Sequence, residues 1–559
     1  MNRQHIIGLP ALIILLILGI GCSSAEQSDT RIAVNPTPWR TADDIIEDWD
    51  WSLPPGIEAV PYSGTSMPWP QKDGKRYDLP GNEYTMVRAQ WRELEPEEGQ
   101  YNFEPLRQRI IEAGKEWDGV ELHIYGAVWE LRDFPDHENA DYPPNWLEKN
   151  KPGNESAPRW LEKYNIPTIE ERPRYNLKTP FHIINLDIYH SDYHSRYLKM
   201  VEAFGKSGIP QMQEVMFSYQ HTKSGSRGEE GMVPTEEPAA TRLKERLAAW
   251  GKAFEGVEYK LAYTAGVGPQ IAYSYTLGMG QRNGFVEQVI NHIPNADLGQ
   301  LVDENNYLVV DEDLPPIKEN RAYGDENEEY TQTMTPRFGP WESFAHRFRE
   351  STLRVLQMRR NFVWIEPSMM NPEMTAYLSL ELGRNVNDTP DIWCYLRESY
   401  PNRHRDANGA PLPVKNFERW LYQRDQTGYT ARATAKVHVP EQMQNYHPDH
   451  YYDYTARTTD AANGNTAIGF AVDDRFLSGG PHRVAVKVTY HDQGPARWAL
   501  VYNQGKSRRE ITCWGHGNVR TATWFLDDAK FDGNALDYDF EIRALEGDAV
   551  IKFIRVIRL

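Results

Sequence analysis

Short apolar runs alternate with longer amphipathic segments from about residue 50 to residue 430. The apolar runs include TMVRAQW, VELHIYGAVW, EVMFSYQ and FVWI. The segments between them, such as LKERLAAWGKAF, repeat apolar residues at helical spacing. Strands that alternate with helices are typical of βα units around a parallel sheet. The pattern therefore predicts an α/β fold, a (β/α)8 TIM barrel over residues 51–430.

Three more runs complete the eight predicted strands, and the first of them is weak. They are a first strand at residues 57–60, a sixth at 298–302 and a closing strand at 391–396, DIWCYL. Counted in this way, the FVWI run is the seventh strand.

The pattern changes after residue 430. Segments such as HRVAVKVTYHD, TATWFLDD and AVIKFIRVIRL alternate apolar and polar residues with period two, and turn residues separate them. This is typical of antiparallel strands, and it predicts a C-terminal all-β sandwich domain over residues 431–559. Two roles are open for this domain, carbohydrate binding and packing against the barrel.

The N-terminus carries a targeting pattern. Residues 1–22 run from a basic start through an apolar block to Gly-Ile-Gly-Cys, which resembles the lipobox of bacterial lipoproteins. Cys22 is then the predicted lipidation site, and residues 23–50 are a tether. An ordinary signal peptide and an anchor helix are the alternatives. No later segment has the roughly 20 consecutive apolar residues of a membrane span. We expect an exported protein that is lipid-anchored to the bacterial membrane, either in the periplasm or at the cell surface. The lipid anchor would be its sole contact with the membrane.

Composition and charge narrow the classes of partner. The net charge of −19 argues against nucleic acid, which requires a basic surface. The two cysteines after residue 22, Cys394 and Cys513, fall in different predicted domains, so we predict neither a disulfide framework nor a cysteine metal site. No cofactor is predicted. Seventeen Trp and thirty-one Tyr are compatible with sugar binding, and equally with large aromatic cores.

One segment carries a family resemblance. Residues 87–110, VRAQWRELEPEEGQYNFEPLRQRI, resemble the second-strand motif of clan A glycoside hydrolases, in particular family 42 β-galactosidases and agarase-type enzymes. The following VELHIYGAVWELRDFPDHENADYPPNWL resembles their third strand and its loop. The resemblance implies a retaining hydrolase with its nucleophile after strand seven and its acid/base after strand four.

Glu366 is the predicted nucleophile. It directly follows the apolar FVWI run and precedes Pro367, and functional residues of a barrel lie at the C-terminal ends of its strands. Arg88, which matches the arginine of the clan motif, would keep this carboxylate ionised. A structural ion pair at the barrel mouth is the alternative for Arg88.

The second carboxylate departs from the clan pattern. Strand four usually ends in Asn-Glu there, but here it ends in Ser-Tyr-Gln-His, residues 218–221. Gln220 cannot donate an acidic proton. Glu229 and Glu230, in the following Gly/Ser-rich segment, are the predicted replacements for the acid/base, and solvated loop charges are the alternative.

Further side chains at predicted strand ends or in the adjacent loops, where Arg282 follows the fifth predicted strand, are candidates for substrate binding. They are Arg88, Trp91, Trp129, Tyr219, Gln220, His221, Arg282, Glu304, Trp364 and Trp393. Aromatic rings would stack on sugars, and Arg282, in a Gly-rich segment, would hold a sulfate or carboxylate unless it only marks a tight turn. The acidic residues Asp303, Glu304, Glu326 and Glu328 are further candidates for the second carboxylate, and they also offer oxygen ligands for a hard cation. Their spacing matches no known loop motif, so no metal is predicted.

These observations predict a retaining glycoside hydrolase that uses two carboxylates on a galactan-like polysaccharide or oligosaccharide. The alternative from another class is a non-catalytic glycan-binding lipoprotein with a degenerate barrel site. A polysaccharide lyase with Tyr219 or His221 as base is a third possibility.

Overall fold

The computed structural model describes most of the chain. The described residues are 30–66, 75–133, 153–171, 181–219, 235–264, 269–285, 296–327, 342–365, 371–400, 404–438, 452–533 and 538–559.

Eight parallel strands close into a barrel, which confirms the predicted (β/α)8 fold. Each strand pairs with the next along the chain, and the eighth pairs with the first. The strands are β1 (Gly64–Ser66), β2 (Glu83–Gln90), β3 (Gly119–Tyr125), β4 (Val215–Tyr219), β5 (Leu261–Thr264), β6 (Gly280–Phe285), β7 (Tyr323–Asn327) and β8 (Phe362–Ile365).

Helices connect the barrel strands and bury their apolar stripes. In the second helix, Leu106 and Ile110 are buried against the barrel, as the spacing of apolar residues predicts. The helices are α1 (Trp91–Leu94), α2 (Glu104–Ala113), α3 (Ser191–Lys206), α4 (Ala239–Ala253), α5 (Gln270–Thr276), α6 (Pro315–Lys318), α7 (Glu342–Gln357) and α8 (Pro372–Glu381). Short 3-10 turns cover Arg159–Tyr164, Glu258–Lys260, Ala296–Leu298 and Ala461–Asn463.

Three of the eight barrel strands are formed by other segments than the sequence predicted. The first strand is β1, not residues 57–60, and Gln300–Val302 forms an outer hairpin with Leu308–Val310 instead of the sixth strand. The sixth strand is β6, which contains Arg282. The FVWI run is therefore the eighth strand, and β7 with Glu326 is the seventh.

The predicted closing strand belongs to the C-terminal sheets. Asp391–Ser399 pairs antiparallel with Val550–Arg558 and not with the barrel. Ile392 and Leu396 face the sandwich core, whereas Trp393 and Tyr395 face residues of the barrel helices. Because both faces are buried, its apolar pattern looks like that of a parallel barrel strand, which explains the wrong prediction.

Antiparallel strands fill the rest of the C-terminal region in two sheets, as predicted. They begin at Asp391, within the range predicted for the barrel. They are β9 (Asp391–Ser399), β10 (Val414–Arg419), β11 (Leu421–Gln423), β12 (Arg432–His438), β13 (Tyr452–Thr458), β14 (Ala467–Val472), β15 (Gly479–His491), β16 (Ala496–Tyr502), β17 (Ser507–Cys513), β18 (Val519–Phe531), β19 (Phe540–Glu546) and β20 (Val550–Arg558). The strand order in the first sheet is β10-β9-β13-β20-β15-β18, and β12 pairs with β13. The strand order in the second sheet is β11-β14-β19-β16-β17.

Smaller strand groups lie outside the barrel. Thr30–Ala33 pairs with Lys75–Asp78. Val128–Asp133, Phe181–Leu186 and Thr168–Glu171 form a three-stranded sheet. No helix within the described ranges is long and apolar enough to cross a membrane.

The end of the predicted tether is part of the folded protein. Asp44–Ile46 adds an edge strand to β18. Asp50 is buried, and its carboxylate accepts hydrogen bonds from Lys487 at 2.6 Å and Arg40 at 2.5 Å. Burial lowers the pKa of Lys487 to about 8. Residues 44–50 therefore attach the N-terminal segment to the C-terminal sheet, although they fall within the predicted tether.

Candidate active site in the barrel interior

The lower barrel interior is apolar. Tyr84, Phe217 and Phe362, from three different strands, pack in one cluster. The rings of Phe217 and Phe362 stack with centroids 4.6 Å apart. This layer closes the barrel below the polar groups that follow, as side-chain layers do in barrels of this type.

Above this layer, Glu326 and Arg282 form a buried ion pair. Glu326 lies at the C-terminal end of β7, and Arg282 comes from the neighbouring β6. Both side chains are at most 1% exposed. Glu326 Oε2 accepts no hydrogen bond from the described residues. Glu326 therefore lies where functional residues of such barrels lie, and the neighbouring cation favours its ionised form.

Trp364 of β8 lies beside this pair. The Arg282 guanidinium lies 4.4 Å from the centroid of the Trp364 ring. His123 of β3 stacks on the same ring at 5.6 Å with an interplanar angle of 19°. The indole Nε1 donates a hydrogen bond to Glu121 Oε2 at 2.5 Å. Trp364 thus joins the Glu326–Arg282 pair to a second buried carboxyl group.

That second carboxyl, Glu121, lies on β3 and is fully buried. Burial raises its pKa to about 7, although the Trp364 hydrogen bond and the charges of Arg282 and Arg88 oppose the shift. Its Oε1 lies 3.1 Å from His123 Nε2, and His123 Nδ1 lies 3.3 Å from the Tyr125 hydroxyl. In its neutral form Glu121 can donate to His123 while it accepts from Trp364.

We expect Glu121→Gln to remove a pH dependence of stability. The pKa of Glu121 rises from 4.5 to about 7 on folding, so the stability from its neutral form is present below pH 4.5 and is lost as pH rises through 7. The full effect is about 3 kcal/mol. Glutamine is always neutral and keeps an acceptor for Trp364 and a donor for His123. Urea unfolding should show equal stability near pH 4 and a more stable variant near pH 8. Parallel pH profiles of the two proteins would contradict this account of Glu121.

Three predicted substrate-binding residues lie in the barrel interior. Arg282 and Trp364 belong to the polar cluster just described, and Arg282 is in a strand instead of the predicted loop. Arg88, on β2, is next to His123 in the β2–β3 pairing and is partly exposed. Its Nε donates to the sulfur of Met86 at 2.9 Å.

Trp91 and Trp393 lie away from the barrel mouth. Trp91 begins α1, is fully buried, and donates to Glu95 at 2.6 Å. Trp393 is buried between the sandwich and the barrel helices, against Phe553. Both rings fill hydrophobic cores. Each belongs to an apolar run, and such a run is buried whether it packs inside the barrel or elsewhere in the protein.

Trp129 and Glu304 also lie outside the barrel interior. Trp129 belongs to the outer strand Val128–Asp133, with Arg159 4.8 Å above its ring. Glu304 is exposed in the turn of the outer hairpin. Asp303, in the same turn, accepts hydrogen bonds from the backbone of Asn305 and Tyr307. Among the described residues, no three His, Cys, Asp or Glu side chains gather as metal ligands.

The other predicted site residues lie outside the described residues. They are Cys22, Gln220, His221, Glu229, Glu230, Glu328 and Glu366. Tyr219 ends β4, and only its backbone is described. Since β8 is the eighth strand, Glu366 follows strand eight and not strand seven.

Sequence reasoning missed Glu121 and His123. The available signal was a charged and a titratable residue two positions apart in an otherwise apolar strand, GVELHIY. Residues i and i+2 of a strand share a face, so both point into the barrel. Burial of the pair could have been inferred from that spacing.

Comparisons with known proteins found no matching family model and no matching curated protein. Among solved structures, endo-glycoceramidase II from Rhodococcus sp. is 11% identical, with 84% of this chain and 99% of that chain covered and a TM-score of 0.30. The β-amylase catalytic domain from Paenibacillus polymyxa is 8% identical, with 54% and 90% covered and a TM-score of 0.29. A carbohydrate-binding module from Cellvibrio mixtus lichenase 5A, in complex with cellotriose, is 13% identical, with 24% and 92% covered and a TM-score of 0.13. Similarity at this level does not assign the chain to a family.

Proposed function

We propose that this protein is a retaining glycoside hydrolase with Glu326 as its nucleophile. The supporting observation is the buried Glu326–Arg282 ion pair at the C-terminal end of the seventh barrel strand. The sequence resemblance implies a nucleophile after strand seven, and Glu326, not Glu366, has that position in the observed strand order.

The chemistry follows from the charge of the pair. A nucleophilic carboxylate must be ionised when it attacks the anomeric carbon, and the Arg282 guanidinium favours that form. Attack by Glu326 forms a glycosyl–enzyme ester as the leaving oxygen takes a proton from a second carboxyl group. That second group then removes a proton from water, whose oxygen displaces Glu326 with net retention.

The acid/base of this proposal comes from residues 220–234 or 366–370. Glu229, Glu230 and Glu366 are the candidates in those segments. Glu121 has a raised pKa, as a general acid needs, but its oxygens already contact Trp364 and His123. We therefore assign Glu121 a positioning role: it fixes the Trp364 ring, against which Arg282 lies.

The finer parts of the proposal come from the sequence. The family 42 and agarase-type resemblance favours a galactan-like polysaccharide or oligosaccharide as substrate, and the lipobox-like segment favours export and anchoring through Cys22. Arg88, Trp364 and Tyr219 are the residues we assign to substrate binding, because each belongs to the C-terminal half of its barrel strand.

Product analysis tests this proposal. The mature protein is incubated with galactan, mixed-linkage β-glucan and xylan, and new reducing ends are measured, with proton NMR of the first product. We expect reducing ends from at least one polymer, and the same anomer in the product as in the bond cleaved. An unsaturated product absorbing in the ultraviolet would indicate a lyase instead. Binding without any product would favour the non-catalytic glycan-binding alternative, which the missing strand-four carboxylate supports.

A further inference from the structure

Trp514 is the most exposed large hydrophobic side chain among the described residues. It is 72% exposed, and the next, Ile169, is 53% exposed. Every other tryptophan that the structure describes is buried or partly buried. Trp514 lies in the loop of residues 514–518, between β17 and β18, at one end of the sandwich. An exposed indole offers a flat apolar face together with a polar N–H group, which is why tryptophan is enriched at binding surfaces.

The loop that carries Trp514 is held in place by a buried carboxylate. Asp492 is 1% exposed, and its Oδ1 accepts from the backbone N–H of Trp514 at 2.8 Å and of Gly515 at 3.3 Å. Its Oδ2 lies 2.9 Å from Nδ1 of His516. Charge-assisted hydrogen bonds of this kind fix both the backbone and the ring of His516. The loop is therefore ordered before any ligand arrives.

A second loop packs closely against the first. A Cβ at Gly494 would lie 2.6 Å from the Gly515 nitrogen, so the loop of residues 492–495 contacts the Trp514 loop backbone to backbone. Gly515 and Gly517 have positive φ angles of 78° and 73°, a backbone conformation that residues other than glycine rarely adopt. The two loops together expose one flat apolar ring and three polar side chains, His516 and Asn518 on the Trp514 loop and Gln493 on the second loop.

We propose that Trp514 is the platform of a glycan-binding site on the sandwich, separate from the barrel, that takes a pyranose unit of a neutral polysaccharide. One face of a pyranose is apolar and fits an indole ring, and its hydroxyls match neighbouring polar groups such as the half-exposed His516. A single ring with polar neighbours is too small for a protein interface. The net charge of −19 disfavours anionic lipid headgroups and acidic glycans. The inference does not depend on the barrel being a hydrolase.

Electrophoresis through native gels that contain galactan, mixed-linkage β-glucan or xylan tests the site on the mature protein. We expect at least one polymer to retard the wild type, Trp514→Ala to bind it at least tenfold more weakly, and Trp514→Phe to retain part of the binding. Ile169→Ala, the matched exposed apolar control on the barrel side, should be retarded like wild type. Melting midpoints and turnover of a short chromogenic glycoside should be the same for Trp514→Ala and wild type.

Three outcomes would overturn the proposal. They are no retardation by any of the three polymers, equal retardation of Trp514→Ala and wild type, and Trp514-dependent sedimentation with phosphatidylcholine–phosphatidylglycerol vesicles without retardation by a polymer. The last result would assign Trp514 to a lipid surface. Because retardation is scored without turnover, failure of this site and failure of the barrel hydrolase are distinguishable.

Discussion

Glu326→Gln is expected to reduce turnover of the polysaccharide at least about 10³-fold, or about 4 kcal/mol in activation free energy. Glutamine is isosteric and keeps an oxygen acceptor beside Arg282, so we expect the variant to fold with reduced stability, but an amide cannot form the ester intermediate. Glu326 is buried beside Arg282, and its loss leaves that guanidinium without its carboxylate. The measurement is the initial rate of reducing-end release, with circular dichroism to verify folding. Full activity in this variant would contradict the role of Glu326.

A second substrate, one with a good leaving group, separates the nucleophile from the acid/base. A substrate with a good leaving group needs no protonation, so an acid/base variant should recover its first step and a nucleophile variant should not. We expect Glu326→Gln to stay inactive on a dinitrophenyl glycoside. One variant among Glu229→Gln, Glu230→Gln and Glu366→Gln should recover. Glu304→Gln, in the exposed outer turn, is the control and should behave as wild type. Recovery of Glu326→Gln with an inactive Glu366→Gln would return the nucleophile to Glu366.

Arg360→Leu is expected to destabilise the barrel by about 3–5 kcal/mol, since it leaves a buried carboxylate without its partner. Arg360 Nε donates to Asp325 Oδ2 at 2.5 Å, and neither side chain is exposed. The guanidinium also lies 3.6 Å from the centroid of the Tyr323 ring. Burial raises the pKa of Asp325 even with Arg360 present. Chemical unfolding monitored by tryptophan fluorescence measures the loss.

Two further variants identify the cause. Arg360→Leu combined with Asp325→Asn removes both charges and should recover part of the lost stability, because no buried charge remains unpaired. Lys318→Met breaks the exposed Lys318–Asp313 pair, whose Nζ–Oδ1 distance is 2.8 Å. Its unfolding midpoint should match that of wild type. A double variant as unstable as Arg360→Leu alone would mean that packing of Arg360 on Tyr323, and not its charge, carries the effect.

The strand order of the barrel could be predicted only in part. Alternation of apolar runs and helices indicated the fold, because a parallel strand covered on both faces has to be continuously apolar. The same rule misassigned Asp391–Ser399, which is covered by the sandwich on one face and by barrel helices on the other. The apolar pattern of a segment predicts that the segment is buried, but it does not predict which other strands or helices cover it. The rank of the FVWI run has another cause: between β5 and this run the prediction counted one strand, residues 298–302, where the structure has two, β6 and β7. The FVWI run therefore moved from eighth to seventh place and the predicted nucleophile from Glu326 to Glu366, whereas Asp391–Ser399 only restored the total to eight.

The sequence by itself determined the fold class, the change to antiparallel strands and a set of candidate site residues that included Arg88, Arg282 and Trp364. Each of these follows from local periodicity or from a polar residue in an apolar run. Only the tertiary structure decided that Glu326, Arg282, Trp364 and Glu121 form one buried cluster. They come from four strands spread over more than 200 residues of sequence. Their contacts depend on barrel closure and on which face of each strand turns inward, and neither is encoded within a single segment.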